Sequence, residues 1–199
     1  LVLDFSREEV ADYIFDSLCR VLDSANVEYL KWDMNRSVID VYSALAGCAE
    51  QGEVLYKYTL GLYRFLDRIG RRYPNILIEG CCGGGGRFDA GMLYYGPQIW
   101  CSDNTDAIDR IRIQYGTSFG YPISAVGSHV SAVPNHQTGR SVPLKTRGAV
   151  AMAGSFGYEL DLGKLTPAEK EEVKAQVKAY KDNWKLIQDG EYYRLSNPY

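Results

Sequence analysis

Three polar side chains at alternate positions, Lys31, Asp33 and Asn35, are separated by Trp32 and Met34 and preceded by Leu30. Strand side chains alternate between faces, so this spacing predicts a cation, an anion and an amide on one face. The same period brings Cys101 and Asp103 together at the end of a second extended run, beside Ser102, Asn104 and Thr105. Two carboxylates on opposite strand ends of one barrel suit acid/base-assisted displacement at a sugar carbon. One is ionised and attacks, and the other gives its proton to the leaving oxygen. Lys31 beside Asp33 would keep that carboxylate ionised and fit it for attack. Asp103 has only neutral neighbours in sequence and is the candidate to retain a proton. Each group has a plainer reading as well: Lys31 and Asp33 as a buried ion pair satisfying itself, and Asp103 as the N-cap of a following helix.

Gly83 to Gly86 follow Cys81 and Cys82 at what reads as a strand-to-loop junction, where backbone N–H groups can approach a ligand closely. The spacing matches neither the phosphate-loop pattern nor the dinucleotide fingerprint. A purely structural tight turn is the alternative. The five cysteines, at 19, 48, 81, 82 and 101, are odd in number and lack C-x-x-C spacing, with only His129 and His136 to join them. Free thiols in a reducing, cytoplasmic setting fit this better than a disulfide scaffold or a structural zinc site. Both histidines read as loop or packing residues. Trp100, Tyr94, Tyr95 and Tyr158 could stack on a ring, but they could equally fill a core. Arg87 and Asp89 read as an ion pair that fixes the glycine loop.

The elements that must position these groups are legible in part. Of the 199 residues, 46% are hydrophobic and 24% charged, enough apolar content for a sizeable core. Lys and Arg number 22 against 25 Asp and Glu, for a formal charge of -3, which lacks the basic footprint of a nucleic-acid binder. No apolar run approaches the roughly 18 residues of a membrane span. Residues 1–7 do not read as a signal peptide. The chain opens at Leu1 without methionine, and so reads as a piece of something longer.

Ser6 and Glu9 have the spacing of a capping box, and Val10, Ile14, Leu18 and Val21 continue as a helical stripe over about 7–23. Residues 27–33 read as a strand and 53–72 as a helix. Short extended runs follow at 76–78, 98–102, 122–127 and 158–161, with a helix over about 105–115. Thr166, Pro167 and Glu169 give an N-cap, an N1 proline and an N3 glutamate for a last helix ending near Gly190. Strands alternating with helices predict a parallel sheet of βα units in one domain of about five strands. Five successive strand ends carry polar or unusual residues. A doubly wound sheet concentrates its site at one switch point, whereas a barrel draws on many strands. The fold class predicted is therefore α/β, a (β/α)8 barrel represented by its later five-eighths.

Three segments carry a resemblance to a known family. They are Tyr29-Leu30-Lys31-Trp32-Asp33-Met34-Asn35-Arg36, the run from Glu79 through the four glycines to Asp89, and the run from Trp100 to Arg110. Together they closely resemble the bacterial α-galactosidases of glycoside hydrolase family 36, and Gly127 to His136 resembles that family's next strand and loop. The resemblance covers essentially the whole chain, residues 1–199, as barrel strands 4 to 8 without the family's flanking β domains. It implies hydrolysis of terminal α-galactosyl residues of oligosaccharides such as melibiose or raffinose, with retention of configuration. Asp33 matches the nucleophile that forms a galactosyl ester, and Asp103 the acid that protonates the departing alcohol and then activates water. Lys31 and Asn35 match residues that hold galactose hydroxyls. Cys81 and Gly84 match positions around the 2-hydroxyl. Retaining geometry implies carboxyl groups about 5 to 5.5 Å apart. No metal or organic cofactor is implied, and the complete protein is expected to be a homo-oligomer. A related galactosyltransferase, or a sugar-binding fragment without turnover, are the other readings. Cys82 stands where the family usually has serine, Ala90 where it often has proline, and Cys101 where threonine is common. Acidic, aromatic and arginine contacts to galactose belong to parts of the family's fold that this chain does not contain.

Overall fold

A computed structural model of the chain describes every residue except Leu1, Ser37 and Asp40, so the start of the chain lies outside the described residues. Five strands, β1 (Tyr29–Asp33), β2 (Leu77–Cys81), β3 (Gln98–Trp100), β4 (Val126–Ser131) and β5 (Ser155–Glu159), form one sheet. Every neighbouring pair is parallel and the spatial order is the chain order, β1 to β5. A doubly wound sheet would reverse its order at a switch point. This sheet has no reversal, and it curls as part of a (β/α) barrel. Among the described residues, β1 and β5 each keep one unpaired edge.

The connecting helices are α1 (Glu8–Leu22), which precedes β1, then α2 (Val54–Arg72), α3 (Ala90–Tyr95), α4 (Ala107–Thr117), α5 (Leu144–Ala151) and α6 (Pro167–Asp189). Alternation along the strands sends one set of side chains to this helical layer. Ile78 and Ile99 join Phe5, Phe65, Leu66, Ile69 and Met92 in the larger core, with Trp32 packed against it. A smaller core under α5 and α6 gathers Val130, Leu144 and Ala151, and Phe156 and Tyr158 pack on it. The other set, which includes Lys31, Glu79, Trp100 and His129, faces the inside of the curl.

Several local expectations change, among them the run expected at 158–161, which begins at Ser155. Ser6 does not cap α1: its N–H and hydroxyl both donate to Asp4 Oδ1, at 3.0 and 2.6 Å, and Arg7 occupies the cap position. The strand expected at 122–127 starts later, because the N–H of Ala125 closes a 3-10 turn onto the Pro122 carbonyl before β4 begins at Val126. Ser128 and His129 therefore lie inside the strand, not after it. α5 lies in a stretch where the sequence shows no helical stripe. The cap of α6 forms as expected: Glu169 N–H donates to Thr166 Oγ1 and Thr166 N–H donates to Glu169 Oε2, at 3.2 and 2.8 Å.

Candidate active site

The carboxyl ends of β1, β2 and β3 bring most of the sequence candidates together. Asp33 ends β1 opposite Cys81 of β2, and their shared register places both on the inner face. Asn35 Nδ2 donates to Asp33 Oδ2 at 3.0 Å, and the Gly83 N–H donates to Asn35 Oδ1 at 2.9 Å. Asn35 therefore ties the β1 carboxylate to the glycine loop. Burial above all pushes the Cys81 thiol up to about 11; the neighbouring Asp33 carboxylate adds to this and the Gly84 backbone opposes it. At neutral pH Cys81 is a neutral thiol with a proton to share, not a thiolate.

Gly84 lies against the backbone of the residue that carries the other carboxylate. Its φ is +79°, and a Cβ on it would lie 2.8 Å from Ser102 Cα and 2.9 Å from Asp103 N. Only a residue without a side chain lets the β2 loop lie against the backbone of Asp103. Asp103 follows β3 and opens into a cavity of about 450 Å³ with Trp100, Thr105, Ser131, His136 and Glu159. Asp33 lines a separate recess of about 310 Å³ with Trp32, Asn35, Arg36, Tyr58 and Arg87. The two carboxylates are not on opposite strands, because β1 and β3 flank β2. Neighbouring strands lie about 4.8 Å apart, so the two acids rise from backbones about 10 Å apart on a concave face.

The pairing expected within β1 is not the one found. The Lys31 ammonium stands 3.1 Å from Glu79 Oε1, across the register of β1 and β2, and 4.2 Å from the centre of the Trp100 ring. Glu79 is fully buried, and Gln98 donates to its other oxygen. A buried carboxylate holds a cation more strongly than one exposed at a strand end, which is why Lys31 turns to Glu79 instead of Asp33. Oε1 has this charge contact but no aligned donor. Burial, and then the charge of Glu79, raise Tyr29, which lies one turn of the pleat below Lys31.

Arg87 and Asp89 do not pair either. Arg87 donates to the Tyr58 hydroxyl at 3.3 Å and to the Arg36 carbonyl at 3.1 Å, whereas Asp89 caps α3 by accepting from the Met92 N–H at 2.9 Å. Among the four aromatic candidates, Trp100 alone faces the cavity. Tyr158 points outward and its hydroxyl donates to Gln176 at 2.7 Å, Tyr95 packs on Tyr63, and Tyr94 is exposed on α3. His129 lies against Trp100 with ring centres 4.7 Å apart, and burial lowers its pKa, which favours the neutral imidazole. Cβ atoms on Gly127 and Gly157 would stand 2.9 Å from Trp100 and 2.8 Å from His129 respectively. Glu159 is raised by partial burial of its carboxyl, against a hydrogen bond from Thr105.

Asp103 does not cap α4. Asp106 does, accepting from the N–H groups of Ile108 and Asp109 at 3.0 and 3.1 Å, from the Thr138 hydroxyl at 2.9 Å, and from Arg140. This leaves Asp103 free of the plainer role. Burial by itself would raise Asp106, but these hydrogen bonds and the Arg140 charge outweigh it and lower the carboxyl below its ordinary value. A depressed folded-state pKa gives stability that is present above the unfolded value of about 4 and lost as pH falls through the folded one. Asp106→Asn is expected to cost about 1–3 kcal/mol at pH 7 and to flatten the loss of stability below pH 4. Urea unfolding at pH 7 and pH 3 checks both, and parallel curves for the two proteins would contradict it.

Glu79 and Arg110 were not singled out from sequence. Glu79 is a charged residue inside an otherwise apolar strand run, two positions before Cys81, and that period is the signal that marks it. Arg110 lies on α4 with Gln114 one turn further on, a polar face turned toward the sheet.

No helix among the described residues is long and apolar enough to cross a membrane, and those residues contain no group of three or more His, Cys, Asp or Glu placed to hold a metal ion.

The fold and site define a class: part of a (β/α) barrel with two carboxylates at the carboxyl ends of its strands. Residues 1–190 match the Melibiase family model, and the chain belongs to that family. Over 199 residues it is 60% identical to the bifunctional alpha-galactosidase/sucrose kinase AgaSK of Mediterraneibacter gnavus, covering all of this chain and 20% of that protein. It is 59% identical to alpha-galactosidase AgaA of Geobacillus stearothermophilus, covering all of this chain and 27% of that one. The crystal structure of the latter superposes with a TM-score of 0.96, over 100% of this chain and 28% of that chain. Substituted forms of the same enzyme, solved with raffinose and with stachyose, match with TM-scores of 0.96 and 0.95 at 58% identity. The chain thus spans between a fifth and about a quarter of the curated relatives' length.

Proposed function

We propose that this chain is the later part of the catalytic (β/α)8 barrel of a retaining α-galactosidase, with β1 to β5 as barrel strands 4 to 8 and the flanking β domains outside it. The observation that carries the reading is the linkage of two carboxylates through one glycine loop: Asp33 through Asn35 to Gly83, and Gly84 against Asp103. In this reading Asp33 attacks the anomeric carbon of a terminal α-galactosyl unit while Asp103 protonates the departing oxygen. A β-linked ester on Asp33 forms, and water activated by Asp103 then hydrolyses it. Lys31, held by Glu79 and Trp100, and Asn35 bind hydroxyls of the sugar. The neutral Cys81 thiol and the Gly84 backbone border its 2-hydroxyl.

The names of the relatives support α-galactosides as substrates, and the raffinose and stachyose complexes support oligosaccharides among them. The aspartates replaced in those two complexes are separated in that enzyme by the same number of residues as Asp33 and Asp103 are here. All five cysteines are free, which supports a reducing, cytoplasmic location. Association of the complete protein into a homo-oligomer is part of the same proposal. The complete protein is to be given an aryl α-galactoside and its first product followed by NMR. α-Galactose is expected before mutarotation. β-Galactose as first product would contradict retention, and transfer only to sugar acceptors would favour a galactosyltransferase.

A further inference from the structure

Arg110 is 3% exposed, yet none of its hydrogen bonds among the described residues goes to a carboxylate. Nη2 donates to the Ser102 carbonyl at 2.6 Å and Nε to the Asn104 carbonyl at 2.6 Å. Nη1 donates to the Gly127 carbonyl at 2.9 Å and to Cys101 Sγ at 3.2 Å. The guanidinium also stacks 4.6 Å from the Trp100 ring centre. Burying this charge is costly, and backbone carbonyls are the weaker recompense. The placement therefore reads as serving something other than stability. The planar fork grips the carbonyls on either side of Asp103 while Gly84 presses on the Asp103 N–H side, so the Asp103 backbone is held from two directions.

We propose that Arg110 is the positioning residue for the acid/base at Asp103, fixing where its carboxyl stands relative to the glycosidic oxygen. This rests on the role proposed above for Asp103. A lysine at this position keeps a charge but lacks the fork, so the Ser102–Asn104 turn loses its fixed geometry while the rest of the pocket keeps its sugar contacts.

The test compares leaving groups in the complete protein. An alkoxide leaving group needs the acid, whereas a dinitrophenolate departs without it. Arg110→Lys is expected to lower kcat/KM about 100-fold on melibiose and less than about 10-fold on 2,4-dinitrophenyl α-galactoside. Inhibition by galactose should be unchanged. Equal losses on both substrates would show a merely structural residue and overturn the proposal. Should Arg110→Lys fail to fold, Arg110→Gln, which keeps two N–H donors, is put through the same comparison, and failure of both to fold also overturns it. Asp103→Ala serves as reference. If that variant lacks the leaving-group split, the acid/base reading of Asp103 is what fails. If it has the split and the arginine variants do not, the failure is that of Arg110 alone.

Discussion

Asp33→Ala is expected to reduce hydrolysis of α-galactosides by about 10⁴-fold or more in the complete protein, because no other group described on that side of the site can form the ester. Asp33 ends β1 on the inner face, braced by Asn35 and bordered by the neutral Cys81, so its removal leaves a gap of carboxylate size with Lys31 and Asn35 in place. Azide admitted to that gap should attack from the face opposite the leaving group. The product is then β-galactosyl azide, formed most readily from an activated aryl galactoside. Asp103→Ala should give the opposite anomer, since there azide meets an ester already formed on Asp33 and attacks from the other face. NMR of the two azides decides the assignment. The same anomer from both variants, or undiminished hydrolysis by Asp33→Ala, would remove the two-carboxylate account altogether.

Gly84→Ala is expected to lower kcat/KM by about 100-fold or more with far less change in overall fold. A methyl group there meets the backbone at Ser102 Cα and Asp103 N, below 3 Å on both, and backbone cannot swing aside as a side-chain tip can. The φ of +79° adds about 1–2 kcal/mol of strain for any L side chain. The loop must therefore shift or push Asp103, and an ångström of misplacement in an acid/base can cost 10²-fold. Gly83→Ala is the internal comparison. Its φ is +53°, but a Cβ on it meets nothing within 4 Å, so strain alone applies and activity should fall less than about 5-fold. Steady-state kinetics on the two variants checks this, and equal losses would show that the contact with the Asp103 backbone is unimportant.

How far the sequence could be read depends on what each helix packs with. α1, α2 and α6 carry apolar stripes or a full capping box, and their limits follow from these within a residue or two. α4 and α5 face the sheet with polar groups. Gln114 accepts from Ser128 Oγ at 2.7 Å and donates to the Val150 carbonyl at 3.1 Å, and Arg147 donates to the carbonyls of Val142 and Ser131. A helix docked through such bonds leaves little hydrophobic period to find, which is why no helical stripe marks α5 in the sequence. Lys31, Asp33 and Asn35, and likewise Cys101 and Asp103, were visible as alternate positions. Their pairing was not, because Lys31 chooses a partner on the neighbouring strand that sequence adjacency cannot reveal. Likewise Asp106, three residues beyond Asp103, takes the capping role considered above for Asp103.

Gly127 and Gly157 place bare backbone beneath the rings of Trp100 and His129 on adjacent strands. The bottom of this cup is consequently full: even one methyl group added from below has nowhere to go without lifting an aromatic plane. Any change in the shape of this cavity has no freedom there and must instead recompose the rim, for example the segment 135–140 beside Asp103.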